Sequence, residues 1–122
     1  MEHRIEEFVR DEKHFIYFDL SEIKGNDEYI VFIKIAKECI VKYPRPVLTI
    51  TNIRDVWFDT ETKAIMAEWM KFNEPYVKCG TVIGFDIKRM IVNSVFKLSG
   101  RTNMVFVPDK EQAIEWLLKN SL

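Results

Sequence analysis

Val47-Leu-Thr-Ile-Thr51 is a short apolar, β-branched run with Pro44 and Pro46 just before it and a loop over residues 52–58 after it. Such a run reads as a strand, because branched side chains pack well on a pleated surface. Its flanks decide the fold. Upstream, Tyr29, Phe32, Ile33, Ala36, Cys39, Ile40 and Tyr43 recur at helical spacing over residues 28–42. Asp27 reads as the cap of that helix, and the two prolines end it. Downstream, Asp59 or Thr60 reads as the cap of a second helix running to about Phe72. Ile65, Trp69 and Phe72 form its stripe, with Met66 and Met70 alongside. A strand between two helices implies crossover connections, and crossovers join parallel strands.

Working outward, residues 4–10 read as a polar first strand and His14-Phe-Ile-Tyr-Phe-Asp-Leu20 as its hairpin partner across Asp11-Glu12-Lys13. Residues 76–85 carry Val77, Cys79, Val82 and Ile83 in a nearly continuous apolar run, the pattern of a strand covered on both faces. Gly80 and Gly84 are read inside that strand, at a bulge or a close backbone approach. A third helix is predicted over residues 86–98, with Gly100 past its end. Met104-Val-Phe-Val107 reads as the last strand. Pro108-Asp109 opens a final helix with Ala113, Ile114, Leu117 and Leu118 facing inward. The expected fold is α/β: one domain over residues 1–122, with a mixed, mostly parallel five-stranded sheet covered by four helices in the order β-β-α-β-α-β-α-β-α. The first strand is expected antiparallel at an edge.

The 122 residues fit one domain, and 48% apolar with 30% charged content is globular. A net charge of −1 argues against a nucleic-acid partner, which calls for a basic excess. Cys39 and Cys79 lie in apolar runs and read as buried free thiols of a reducing compartment, with a single disulfide as the alternative. With only His3 and His14 and no CxxC, no metal site is expected. The charged start Met1-Glu-His-Arg-Ile-Glu-Glu has no apolar segment of the secretory type, and no stretch is long enough to span a bilayer. The expectation is a soluble, cytoplasmic chain, with contact to a membrane surface left open.

No phosphate-binding GxxxxGK[ST], dinucleotide GxGxxG or GxSxG nucleophile elbow occurs, and the carboxylates form no pair spaced for acid–base work. The expectation is therefore a non-enzymatic chain without a cofactor. Two segments carry functional signals. In Phe58-Asp59-Thr60-Glu61-Thr62, a hydroxyl at a helix N-terminus would favour a phosphate, or would serve as an ordinary cap. In residues 86–101, Lys88, Arg89, Lys97 and Arg101 stand against one acid, Asp86. Ile87, Ile91, Val95 and Leu98 share one helical face, which Val92 and Phe96 widen on one shoulder, while Met90 lies on the other side. A wide apolar arc with basic flanks suits a surface-seeking helix, or a well-buried one with solvated lysines. Lys88, Arg89, Met90, Val92, Phe96, Lys97 and Arg101 are thus the candidate ligand- or membrane-binding residues.

The element order resembles a STAS domain, and more closely the small stand-alone SpoIIAA-like proteins grouped with STAS and CRAL-TRIO lipid-carrier folds. The resemblance is carried by Phe15-Ile-Tyr-Phe-Asp-Leu20, Val47-Leu-Thr-Ile-Thr-Asn52, Phe58-Asp59-Thr60-Glu61, Asn73-Glu-Pro-Tyr-Val-Lys78, Thr81-Val-Ile-Gly84 and Asn93-Ser-Val-Phe-Lys-Leu-Ser-Gly-Arg101. It implies a non-enzymatic role. Antagonist STAS domains open the helix after the third strand with Asp-Ser-Ser-Gly, whose serine a partner kinase phosphorylates. This chain reads Asp59-Thr60-Glu61-Thr62 there, so Thr60 takes the serine's place, while the second serine and the glycine are absent and Glu61 adds a charge. The lipid-carrier kinship implies an apolar ligand or membrane contact, and the antagonist kinship a regulatory protein partner.

Overall fold

The structure, a computed structural model, describes residues 1–57, 59–84, 97, 100 and 103–121. Strands β1 (Ile5–Arg10), β2 (Lys13–Asp19), β3 (Val47–Asn52), β4 (Val77–Ile83) and β5 (Met104–Phe106) form one sheet in the order β1-β2-β3-β4-β5. β1 pairs antiparallel with β2, and the other neighbours pair parallel. Asp11 and Glu12 turn the β1–β2 hairpin at positive φ, 52° and 67°. Helices α1 (Asn26–Ile40), α2 (Thr60–Asn73) and α3 (Lys110–Asn120) are described. The predicted helix over 86–98 lies, apart from Lys97, outside the described residues, and among the described residues the fold is a five-stranded, mostly parallel sheet with three α-helices. Gly100 has a positive φ of 74°.

Adjacent side chains of a strand point to opposite faces. Ile16 and Phe18 meet α1 and α2, through Tyr29, Phe32, Ala36, Met66 and Trp69. Phe15, Leu48, Ile50 and Cys79 lie on the other face, against Ala113, Ile114 and Leu117 of α3. The strands follow one another in chain order, and right-handed crossovers in a constant direction place successive helices on one side. That is why α1 and α2 share a layer while α3, which follows the last strand, takes the opposite one.

Several boundaries differ from the sequence reading. α1 begins earlier than Asp27, because Gly25 is its N-cap in extended backbone, φ −141°. Its carbonyl accepts from the Tyr29 amide at 3.2 Å. Asp27 and Glu28 instead fill the first turn, where the helix dipole favours negative charge. On α2 the buried residues are Thr62, Met66, Ala67, Trp69, Met70 and Asn73, while Ile65 and Phe72 sit on the flank. Cys39 is only half-buried, unlike Cys79. It stands on the flank of α1 facing Glu7 of β1, and burial followed by the Glu7 charge pushes its thiol up to about 11. A thiol so protonated is a poor nucleophile at neutral pH.

Gly84 lies just past β4 rather than within it, at φ 74°. Gly80 is in the strand, where an added Cβ would meet the Met104 sulfur and come within 2.5 Å of Thr49 Oγ1. β4 also carries an irregularity. Val47 pairs with Val77 and Leu48 with Cys79, leaving Lys78 as the extra residue. A bulge of this kind reverses the alternation, so Val77 and Val82, five positions apart, both join the α1–α2 layer.

Candidate functional site

Two described regions bear on function. The first is the N-terminal end of α2. Asp59 is the N-cap, its carboxylate accepting from the Thr62 amide at 2.7 Å. The fully buried Thr62 hydroxyl also reaches Asp59 at 2.9 Å and Asn26 Oδ1 at 2.6 Å, tying the start of α2 to that of α1. Of the two caps the sequence allowed, the structure therefore uses Asp59. Thr60 is the first helical residue, exposed, with its capping duty already discharged. Three positions earlier in the chain, Trp57 is 44% exposed. Its backbone is held from both sides, by Ile23 O at 3.2 Å and by the Tyr29 hydroxyl donating to Trp57 O at 3.2 Å.

These contacts give a test of the cap. The Thr62 amide and then its hydroxyl hold the Asp59 carboxyl below its ordinary range. A carboxyl lowered on folding stabilises above its unfolded value, about 3.9, and that contribution is lost as pH falls through the lower folded value. Asp59→Ala should lower the melting midpoint near neutral pH, and the gap to wild type should close in acid. Thr60→Ala should stay within about 0.5 kcal/mol of wild type, the range for a surface change. A Thr60→Ala loss as large as that of Asp59→Ala in parallel thermal melts would reassign the cap.

The second region is a groove of about 390 Å³ between α1 and α2, lined by Ile30, Ile33, Lys34, Lys37, Ile65, Glu68 and Trp69. Ile33 and Trp69 form its buried side, while Ile30 is 53% exposed and its neighbour Val31 49%. The rim carries two lysines against one glutamate. The Lys37 ammonium lies 4.7 Å from the centre of the Phe72 ring, a cation–π contact that holds it beside the groove. An apolar trough of this volume with a few charged groups has the make-up of a small-molecule site. Trp69 is the link to the core. It meets the Phe18 and Phe32 rings edge-on at 5.1 and 5.9 Å, and its indole nitrogen is buried with no hydrogen-bond partner.

Of the residues nominated for ligand or membrane contact, Lys97 is described and is exposed. Lys88, Arg89, Met90, Val92, Phe96 and Arg101 lie outside the described residues, as does Phe58. Of the groove residues, the sequence marks Ile33, Ile65 and Trp69 only as core-facing stripe positions and does not single out Ile30, Lys34, Lys37 or Glu68. The signal that could find the groove is Ile30 and Val31, apolar positions beyond the Tyr29–Phe32–Ile33–Ala36 stripe. No group of three or more metal-ligating side chains occurs among the described residues. Within them no helix is long and apolar enough to cross a membrane.

Neither a scan of protein-family models nor searches of curated proteins and of solved structures found a match to this chain.

Proposed function

We propose that the chain is a non-enzymatic binding module for an amphipathic ligand, one with an apolar body and an anionic head. The observation that supports this is the α1–α2 groove, with isoleucines and Trp69 along its length and Lys34 and Lys37 at its rim. The apolar body would lie between the helices, and the head would meet the ammonium groups. The basic, apolar segment over residues 86–101 supports the same reading from sequence, as a second contact with the ligand or with an anionic bilayer.

Oleate is a suitable probe, followed by tryptophan fluorescence. Each exposed charge contact contributes at most about 1 kcal/mol, so Lys34→Gln combined with Lys37→Gln should weaken oleate about tenfold. Vesicles separate the two sources of such chemistry. A bilayer contact through Lys88, Arg89 and Lys97 predicts co-sedimentation with anionic but not neutral vesicles, falling as salt rises. No oleate binding and no preference for anionic vesicles would end the proposal.

A second reading is favoured by one observation, that Thr60 at the start of α2 and Trp57 three positions before it are both exposed. In it the domain binds a regulatory protein partner through this corner, and phosphorylation of Thr60 changes the affinity. Thr60→Glu should then lose proteins that wild type retains in a pull-down. Identical recoveries would leave the corner without that role.

A further inference from the structure

At the opposite end of the sheet from Thr60, the β1–β2 turn, the loop after α1, the start of β4 and the end of α3 border an open cavity of about 430 Å³. Lys13, Arg45 and Lys78 line it, with Glu12 as the one carboxylate among the residues that do so. Among the described residues none of the three cations forms an ion pair; the two pairs present are Lys42–Glu7 and Lys110–Glu6. The Lys13 ammonium donates to the buried Ser121 hydroxyl at 2.7 Å, a neutral partner.

We infer that this cavity binds a small phosphate monoester carrying a planar ring. Three features support the assignment, and the first is how Lys78 is presented. It is the residue inserted by the β4 bulge, and it is the exposed position in a strand whose other residues are buried. The Asn103 side-chain amide fixes the bulge by donating to Val77 O at 3.2 Å and Lys78 O at 3.0 Å. Bulges re-aim side chains in this way beside functional sites. The second feature is Arg45. It stands between Pro44 and Pro46, whose rings fix φ and so limit the freedom of the loop that carries it.

The third feature is the charge itself. The C-terminal ends of α1 and α3 approach this end of the sheet, and each carries roughly half a negative charge. Those two ends and Glu12 offset part of the cationic charge, and among the lining residues the three cations still outnumber the one carboxylate. In the same lining, the His14 and Tyr43 rings lie 5.5 Å apart at 56°, an aromatic wall against which a flat ring can pack. The site is separate from the α1–α2 groove and shares no lining residue with it.

Adenosine monophosphate supplies both chemistries, and adenosine lacks the phosphate. Calorimetric titration of the intact chain, at matched ionic strength, should show binding of adenosine monophosphate and much weaker binding of adenosine. Lys78→Gln should weaken the nucleotide about tenfold, the loss of one charge-assisted contact. Arg45→Gln should act in the same direction. Lys34→Gln, at the other groove, should leave it unchanged. Both Lys78 and Arg45 are exposed, so neither change threatens the core. The assignment is overturned if the nucleotide binds no better than adenosine, or if Lys78→Gln and Arg45→Gln bind it as wild type does.

Discussion

Trp69→Ala is expected to cost about 3–5 kcal/mol, the range for emptying a large aromatic core site. Trp69 is 2% exposed and closes a triangle with Phe18 from β2 and Phe32 from α1, so the space it leaves is walled by two elements other than its own. Neighbours anchored on separate elements cannot all move in to fill it. Part of the loss is offset, because the buried indole nitrogen has no partner and its removal relieves a desolvated donor. Trp69→Phe should therefore recover most of the stability. Urea melts provide the check. A loss under about 1 kcal/mol for Trp69→Ala would mean that the α1–α2 layer does not pack on the sheet in this way.

Gly84→Val should cost about 3 kcal/mol or more, through two separate causes. A branched residue at φ 74° is strained in any surroundings. A Cβ there would also stand 2.6 Å from Asn52 Oδ1 and 2.8 Å from the Arg54 amide nitrogen. Neither group moves freely. Asn52 Oδ1 accepts from that amide at 3.0 Å, while its Nδ2 donates to the Tyr17 hydroxyl at 3.1 Å. The same substitution at Gly25, where nothing lies near an added Cβ and φ is −141°, lacks both causes and makes a control in the same melts. Equal losses at the two positions would remove the backbone argument.

The sheet was legible in the sequence because its signals are local and mutually consistent. The Val47–Thr51 run sits between two helical stripes, and its parallel pairing on both sides follows from that position. Asp109 capped the last helix where the Pro108-Asp109 pair placed it, accepting from the Gln112 amide at 2.9 Å. What was not legible depends on juxtaposition. Nothing local marks Lys78 as an inserted residue, since the bulge is defined only by the partners Val47 and Leu48 on another strand. The α1–α2 groove likewise needs Ile30 and Ile65 from two helices to be brought together. Asp27 failed as a cap for a different reason. Its side chain has the right chemistry, but the helix had already started two residues earlier from a glycine backbone.

The placement of α3 has a consequence for how the chain is made. Phe15, Leu48, Ile50 and Cys79 depend on Ala113, Ile114 and Leu117 for cover, and those residues follow all five strands in the chain. During synthesis from the N-terminus, one side of the nascent sheet can be closed by α1 and α2 while the other still lacks its helix. A growing chain in that state presents bare apolar surface of the kind that chaperones bind and that drives aggregation. Growing chains stalled before Lys110 should accordingly hold a hydrophobic dye that the finished protein releases, and equal dye binding by both would show that α3 is not the cover it is taken to be.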